Sequence, residues 1–203
     1  MSSARRVPRL RLGVYGGTFD PVHLGHLILA RDALEQLRLH AVLFVPAARS
    51  PFKSRGPRAT DAQRLAMLRL ALRGEGKEKF WLSRCELDRP APSYAIDTAA
   101  ELKDAFPRAQ LVWLIGADQL AGLHRWHRAK ELARAVTFAV LPRGEAAPAT
   151  PQLDATVLGL PHPRRIDISA TEIRRRVKAR LPIAHLVPAP VAAYIRRHRL
   201  YLA

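Results

Sequence analysis

His23 and His26 stand three residues apart, a few positions after the glycine pair Gly16-Gly17. Helical residues at that spacing share a face. Two imidazoles on one face can donate hydrogen bonds to a phosphate that is gaining charge. The same pair would also serve as half of a metal site, or as a plain polar face. The surroundings favour phosphate. Gly16 and Gly17 allow a tight turn and close approach of backbone to a ligand, and Thr18 and Phe19 extend that backbone. A helix start just beyond would offer free N–H groups and partial positive charge. A second constellation is Ser169-Ala170-Thr171-Glu172-Ile173-Arg174. Ser169, with Glu172 three later, has the form of a capping box, hence another helix start. Arg174, about one turn in, could grip two phosphate oxygens, or could be a solvated arginine on an ordinary capped helix.

Other candidates are single residues. Asp118, in Gly116-Ala117-Asp118, follows an apolar run; there a carboxylate can hold a ribose hydroxyl or simply cap a helix. Trp126 is flanked by His124, Arg125, His127 and Arg128. A partly exposed tryptophan is a platform for a flat ring, although tryptophan is more often core. Lys53 lies in a basic loop with Arg55 and Arg58, suited to closing on phosphates or to moving freely in solvent. Cys85 sits in an apolar run and reads as a buried, inert thiol.

These residues need a frame. Leu12–Tyr15 reads as a strand, and Asp20-Pro21 as N-cap and first helical residue. Leu24, Leu27, Ile28 and Ala30 continue that helix. Ala41–Pro46 is a second strand, and 47–59 a loop. Thr60 to Gln63 is a capping box opening a helix through Arg73. Phe80–Leu87 is predicted as a third strand, with Ser93 capping the next helix. Leu111–Ile115 is a central parallel strand. Leu120, Leu123, Trp126 and Leu132 mark a helical region. Ala135–Leu141 is a fifth strand, residues 142–152 a loop, Leu153–Leu158 a short edge strand, and Pro190–Tyr201 a last helix. Strands alternating with helices imply an α/β fold with a parallel sheet covered on both faces.

The chain of 203 residues carries a net charge of +17 and one cysteine. That length suits one domain, read as residues 12–203 behind a basic, flexible tail at 1–11. No apolar run approaches the roughly 20 residues of a membrane span, and the tail lacks the apolar core of a secretory signal. A single cysteine forms no internal disulfide and fits a reducing cytoplasm. The charge suits either nucleic acid or anionic small molecules. The cations are dispersed, and neither an RNA-binding aromatic motif nor a contiguous basic helix accompanies them.

The stretch Gly16–His26 (GGTFDPVHLGH) closely resembles the signature of nucleotidyltransferases with an H-x-G-H motif. Ile115–Leu132 (IGADQLAGLHRWHRAKEL) resembles one branch of these, the bacterial nicotinate mononucleotide adenylyltransferases. The likeness runs from about Leu12 to Leu202. It implies a Rossmann-like nucleotidyltransferase fold and adenylyl transfer from ATP to nicotinate mononucleotide, giving nicotinate adenine dinucleotide and pyrophosphate. By resemblance, His23 and His26 meet the α- and β-phosphates. Lys53, in Ser50-Pro51-Phe52-Lys53, joins Thr171 and Arg174 on the β,γ-phosphates, and Ser169 also belongs to the ATP side. Gly16, Gly17, Thr18 and Phe19 supply backbone, and Gly116 and Asp118 complete the ATP side. Trp126 stacks on the pyridine ring, and the N–H groups of Ala95 and His127 bind its carboxylate. Relatives often carry Thr at position 95, Ser at 170, and a glycine near Arg180. Mg²⁺ would arrive with ATP, since no carboxylate cluster offers it a protein cage. Oligomeric state is not readable. The alternatives are a phosphopantetheine-type adenylyltransferase or a basic nucleic-acid-binding protein.

Overall fold

The computed structural model describes residues 10–49, 56–76, 78–142 and 151–202. Lys53 and the tail through residue 9 lie outside them. The chain alternates strand and helix: β1 Arg11–Gly17, α1 Leu24–Gln36, β2 Ala41–Pro46, α2 Asp61–Leu72, β3 Phe80–Leu82, α3 Ala95–Ala105 and β4 Gln110–Gly116. Then come α4 Ala117–Ala121, a 3-10 turn Leu123–Arg125, α5 Ala129–Ala135, β5 Thr137–Leu141, β6 Val157–Gly159, α6 Ala170–Lys178 and α7 Ala189–Arg197. The six strands form one sheet in the order β3-β2-β1-β4-β5-β6. Every pairing is parallel; Val14 lies between Leu43 and Trp113.

Period-two alternation divides the apolar strand residues between two cores. Val42, Phe44, Val112 and Leu114 face α1, α2, α6 and α7. Leu43, Val45, Trp113 and Phe138 face α3 and α5. Both faces are covered, so β2 is buried at every position and shows no polar alternation. The strand order turns back between β1 and β4. In open α/β sheets a ligand crevice forms at the carboxyl ends of such a pair.

β2 and the capped start of α2 stand where the sequence places them. Thr60 Oγ1 accepts from Gln63 N, and Gln63 Oε1 from Thr60 N. Other local expectations are corrected. α1 begins at Leu24 with His23 as N-cap, so Asp20-Pro21 does not start it. The Asp20 carboxylate is taken instead by distant donors: Arg58 N at 2.7 Å, Ala59 N at 3.1 Å and the Tyr201 hydroxyl at 2.7 Å. α3 is capped by Tyr94 rather than Ser93, whose Oγ accepts from Ala48 N. β3 stops at Leu82 because Arg84 O accepts from the N–H groups of Leu87 and Asp88, turning the chain. The region from Leu120 to Leu132 is broken into α4, the 3-10 turn and α5, with Arg128 left-handed at φ 51°. The edge strand covers 157–159 instead of 153–158. α7 ends at Arg197, short of Tyr201. Among the described residues no helix is long and apolar enough to cross a membrane.

Three helix ends repeat one device. After α1, Leu39 N donates to Leu34 O and Arg38 N to Glu35 O. After α6, Leu181 N donates to Arg176 O and Arg180 N to Val177 O; after α7, Leu200 N donates to Ile195 O and Arg199 N to Arg196 O. This is the Schellman closure, in which glycine usually takes the left-handed position. Here Arg38, Arg180 and Arg199 take it, with φ of 50°, 58° and 51°. The missing glycine near position 180 is therefore replaced without loss of the helix end.

Candidate active site

A cleft of about 620 Å³ opens where β1 and β4 end. Each sequence-predicted site residue lines it except Lys53, which lies outside the described residues. The starts of α1, α3, α4 and α6 converge there.

The start of α1 brings the histidines. His23 N donates to His26 Nδ1 at 3.2 Å. In a neutral His26 that places the ring proton on Nε2. The two imidazoles stack, with centroids 3.6 Å apart and planes 23° from parallel. Phe19 meets the His26 ring edge-on at 5.0 Å. His23 itself is only 5% exposed. Gly25, between the histidines, sits in tight space: a Cβ there would stand 3.1 Å from both His23 Nδ1 and Ile166 Cγ2, so these neighbours would have to give by a few tenths of an ångström. In the turn before, a Cβ on Gly17 would meet the Phe19 ring at 3.0 Å, while Gly16 has open space on that side. The Phe19 side chain is buried, so only its backbone can serve a ligand.

The start of α6 supplies Ser169, whose Oγ accepts from Glu172 N, together with Thr171 and Arg174. The Arg174 guanidinium is not loose. Nη1 donates to Asp20 O at 2.7 Å and Nη2 to Thr171 Oγ1 at 3.1 Å. The remaining N–H groups of its fork are the ones for a ligand. At the end of β4, Asp118 is exposed, and its Oδ1 lies 2.5 Å from where a Cβ on Gly116 would be. A side chain at 116 would displace that carboxylate.

The start of α3 closes the other end. Ala95 is its first residue, so its N–H lies outside the helical hydrogen-bond ladder. Trp126 is half-buried and His127 exposed, just after the 3-10 turn. The Tyr94 ring stacks on His127 at 4.2 Å, fixing these two segments together. Among the described residues no group of three or more His, Cys, Asp or Glu gathers as a metal site.

Residues 14–176 match the Cytidylyltransferase-like family. The chain is 43% identical over 198 residues to a probable nicotinate-nucleotide adenylyltransferase of Methylacidiphilum infernorum, covering 98% of this chain and 95% of that one. It is 42% identical to the corresponding protein of Opitutus terrae, covering 95% and 98%. The chain belongs to the nicotinate-nucleotide adenylyltransferase family. Its fold also matches the nicotinic acid mononucleotide adenylyltransferase of Plasmodium falciparum, solved in complex with NaAD. There the TM-score is 0.74 at 18% identity, over 94% of this chain and 97% of that one.

In this member of the adenylyltransferase family the cleft also holds residues that motif reading passes over. Glu86 is 6% exposed and accepts from Thr98 Oγ1 at 2.9 Å, while Arg89 Nη2 donates to the same hydroxyl at 2.7 Å. Burial pushes the Glu86 carboxyl above the usual carboxylate range, against the pull of its hydrogen bonds. An acid inside a run predicted as strand gave no warning of this. Gly25 stands in the GGTFDPVHLGH stretch and Tyr94 between Ser93 and Ala95, but their stacking and steric demands show only in the folded chain.

Proposed function

We propose that the protein transfers the adenylyl group of ATP to nicotinate mononucleotide, releasing pyrophosphate, and that the cleft is where it does so. The observation that carries this reading is the convergence of the starts of α1, α3, α4 and α6, with the stacked histidine pair, on one crevice at the carboxyl ends of β1 and β4. A phosphate oxygen of the mononucleotide attacks the α-phosphorus of ATP in line. The bond from that phosphorus to the bridging oxygen breaks, and pyrophosphate leaves. A phosphomonoester is mostly dianionic at neutral pH, so no strong base is needed. Catalysis is then orientation and charge stabilisation.

Each residue has a part in this reading. His26 Nε2–H and the His23 ring meet the α- and β-phosphates. The turn Gly16–Phe19 cradles them with backbone. Ser169 and Thr171 at the start of α6, with Arg174, hold the β,γ-phosphates; Lys53 joins them. Gly116 and Asp118 take the ATP ribose. Trp126 stacks on the pyridine ring, and the N–H groups of Ala95 and His127 bind its carboxylate. Mg²⁺, bound mainly by triphosphate and water, would neutralise charge on the leaving pyrophosphate. One domain, 12–203, carries the whole site, and a cytoplasmic setting fits the single cysteine.

Pyrophosphate release is measured with ATP against nicotinate mononucleotide, nicotinamide mononucleotide and phosphopantetheine. Two backbone donors suit a carboxylate and oppose one amide NH₂. Leaving a buried donor unpaired costs about 1–3 kcal/mol, so efficiency should favour nicotinate by about tenfold or more. Phosphopantetheine as the best acceptor, or no release with any of the three, would reject the reading.

A further inference from the structure

Among the described residues of this highly charged chain, one arginine is wholly buried. Arg64, on α2, is 0% exposed. Its Nη1 donates to Thr18 O at 2.8 Å, its Nη2 meets Asp61 Oδ1 at 2.6 Å, and its Nε has no hydrogen-bond partner among the described residues. Taking a guanidinium wholly out of water is costly unless it is paired. An apolar side chain could fill the same volume without that cost. What Arg64 does that an apolar residue cannot is hold the Thr18 carbonyl.

That carbonyl is part of the phosphate turn. In a trans peptide unit the C=O and the following N–H point opposite ways. Drawing Thr18 O toward α2 therefore turns the Phe19 N–H away from α2. Phe19 itself is left-handed at φ 48°, a conformation that non-glycine residues seldom adopt without outside support. Support comes from both sides: Arg64 holds the carbonyl before Phe19, and Arg174 the carbonyl after it, Asp20 O.

We propose that Arg64 is a positioning residue for adenylyl transfer: its guanidinium, bridging Asp61 and the Thr18 carbonyl, aims the Phe19 N–H at the triphosphate. It touches no substrate and acts through the turn. This rests on the reading of Gly16–Phe19 as the phosphate cradle.

The test is steady-state kinetics of Arg64→Lys and Arg64→Met, with ATP and nicotinate mononucleotide varied separately. Lysine keeps the charge, but one ammonium cannot reproduce the forked bridge. Arg64→Lys should raise KM for ATP about threefold or more, and Arg64→Met should also lower kcat by roughly tenfold, a fraction of what losing a direct donor costs. KM for the mononucleotide should stay within about twofold in both, because Ala95, Trp126 and His127 lie on other elements. A general loosening of the fold would move both KM values together. Unchanged ATP parameters in folded Arg64→Lys overturn the proposal, as does an equal rise in both KM values. Should Arg64→Met fail to fold, Arg64→Lys alone decides. His26→Ala separates the two layers. It should cut kcat about a hundredfold; if it does while the Arg64 variants behave as wild type, the phosphate site stands and the role of Arg64 falls. If His26→Ala turns over normally, the cradle reading itself is wrong.

Discussion

One glycine of the site carries a tight steric demand. Gly25 faces the His23 ring and Ile166 at once, and neither neighbour is the free end of a flexible chain. Gly25→Ala should shift the His23 ring and, with it, the stack on His26. Overpacking of this kind costs about 1–3 kcal/mol, and displaced catalytic groups lose rate steeply. The expected result is a kcat lower by about tenfold or more, with KM for the mononucleotide held, checked by initial rates on folded protein. Normal kcat would mean the ring tolerates the shift. Glu86 makes a different demand. Its carboxyl is raised above the ordinary range by burial, so the folded state favours the protonated form. That contribution is complete below the unfolded value, about 4.3, and is lost as pH rises through the higher folded value. Glu86→Gln keeps an oxygen for the Thr98 hydroxyl and removes the titration. The difference in stability, variant minus wild type, should grow across that window; urea unfolding from pH 4 upward measures it. A difference that stays flat would show that Glu86 does not titrate anomalously.

At the scale of elements, the helix ends carry a stored cost. Arg38, Arg180 and Arg199 sit left-handed where glycine is free to do so. The conformation costs an L-residue roughly 1–2 kcal/mol, partly offset because glycine has more unfolded freedom to lose. Arg180→Gly should therefore stabilise by about 0.5–1 kcal/mol, and the three changes together by a near sum. For a chain this size each kcal/mol raises Tm by about 2–4 °C; calorimetry of the triple variant should show a rise, and a fall would mean these side chains make contacts worth more than the strain. These elements also show what the sequence makes legible. Ala41–Pro46 and the Thr60 cap depend on near neighbours, and both are read correctly. The His23–His26 spacing and the Ser169 cap are local too. Asp20 has the look of a cap for the same local reasons, yet its carboxylate is claimed by donors 38, 39 and 181 residues away. Arg64 has no pattern at all: an arginine three after Asp61 on a helix reads as a surface pair, and only packing shows that it is buried.

For the whole molecule, the net charge of +17 and a triphosphate substrate belong together. Long-range attraction acts over a Debye length of about 30 Å at 0.01 M salt and about 8 Å at 0.15 M. Between those limits kcat/KM for ATP should fall several-fold, mostly through KM, if the field concentrates the substrate. An efficiency indifferent to salt would assign the charge some other purpose. The contact between Tyr201 and Asp20 has a further consequence, in the order in which the chain is made. The ribosome delivers the glycine turn and Asp20 early, but Tyr201 follows 181 residues later. At about 5–20 residues per second, that is a delay of about 10–40 s. Through this interval the growing chain has the β1–α1 turn but, until near the end, neither Arg174 nor the hydroxyl that closes on Asp20. Translation stalled before residue 174 leaves a product with the histidines and half a phosphate site, which should not turn over ATP.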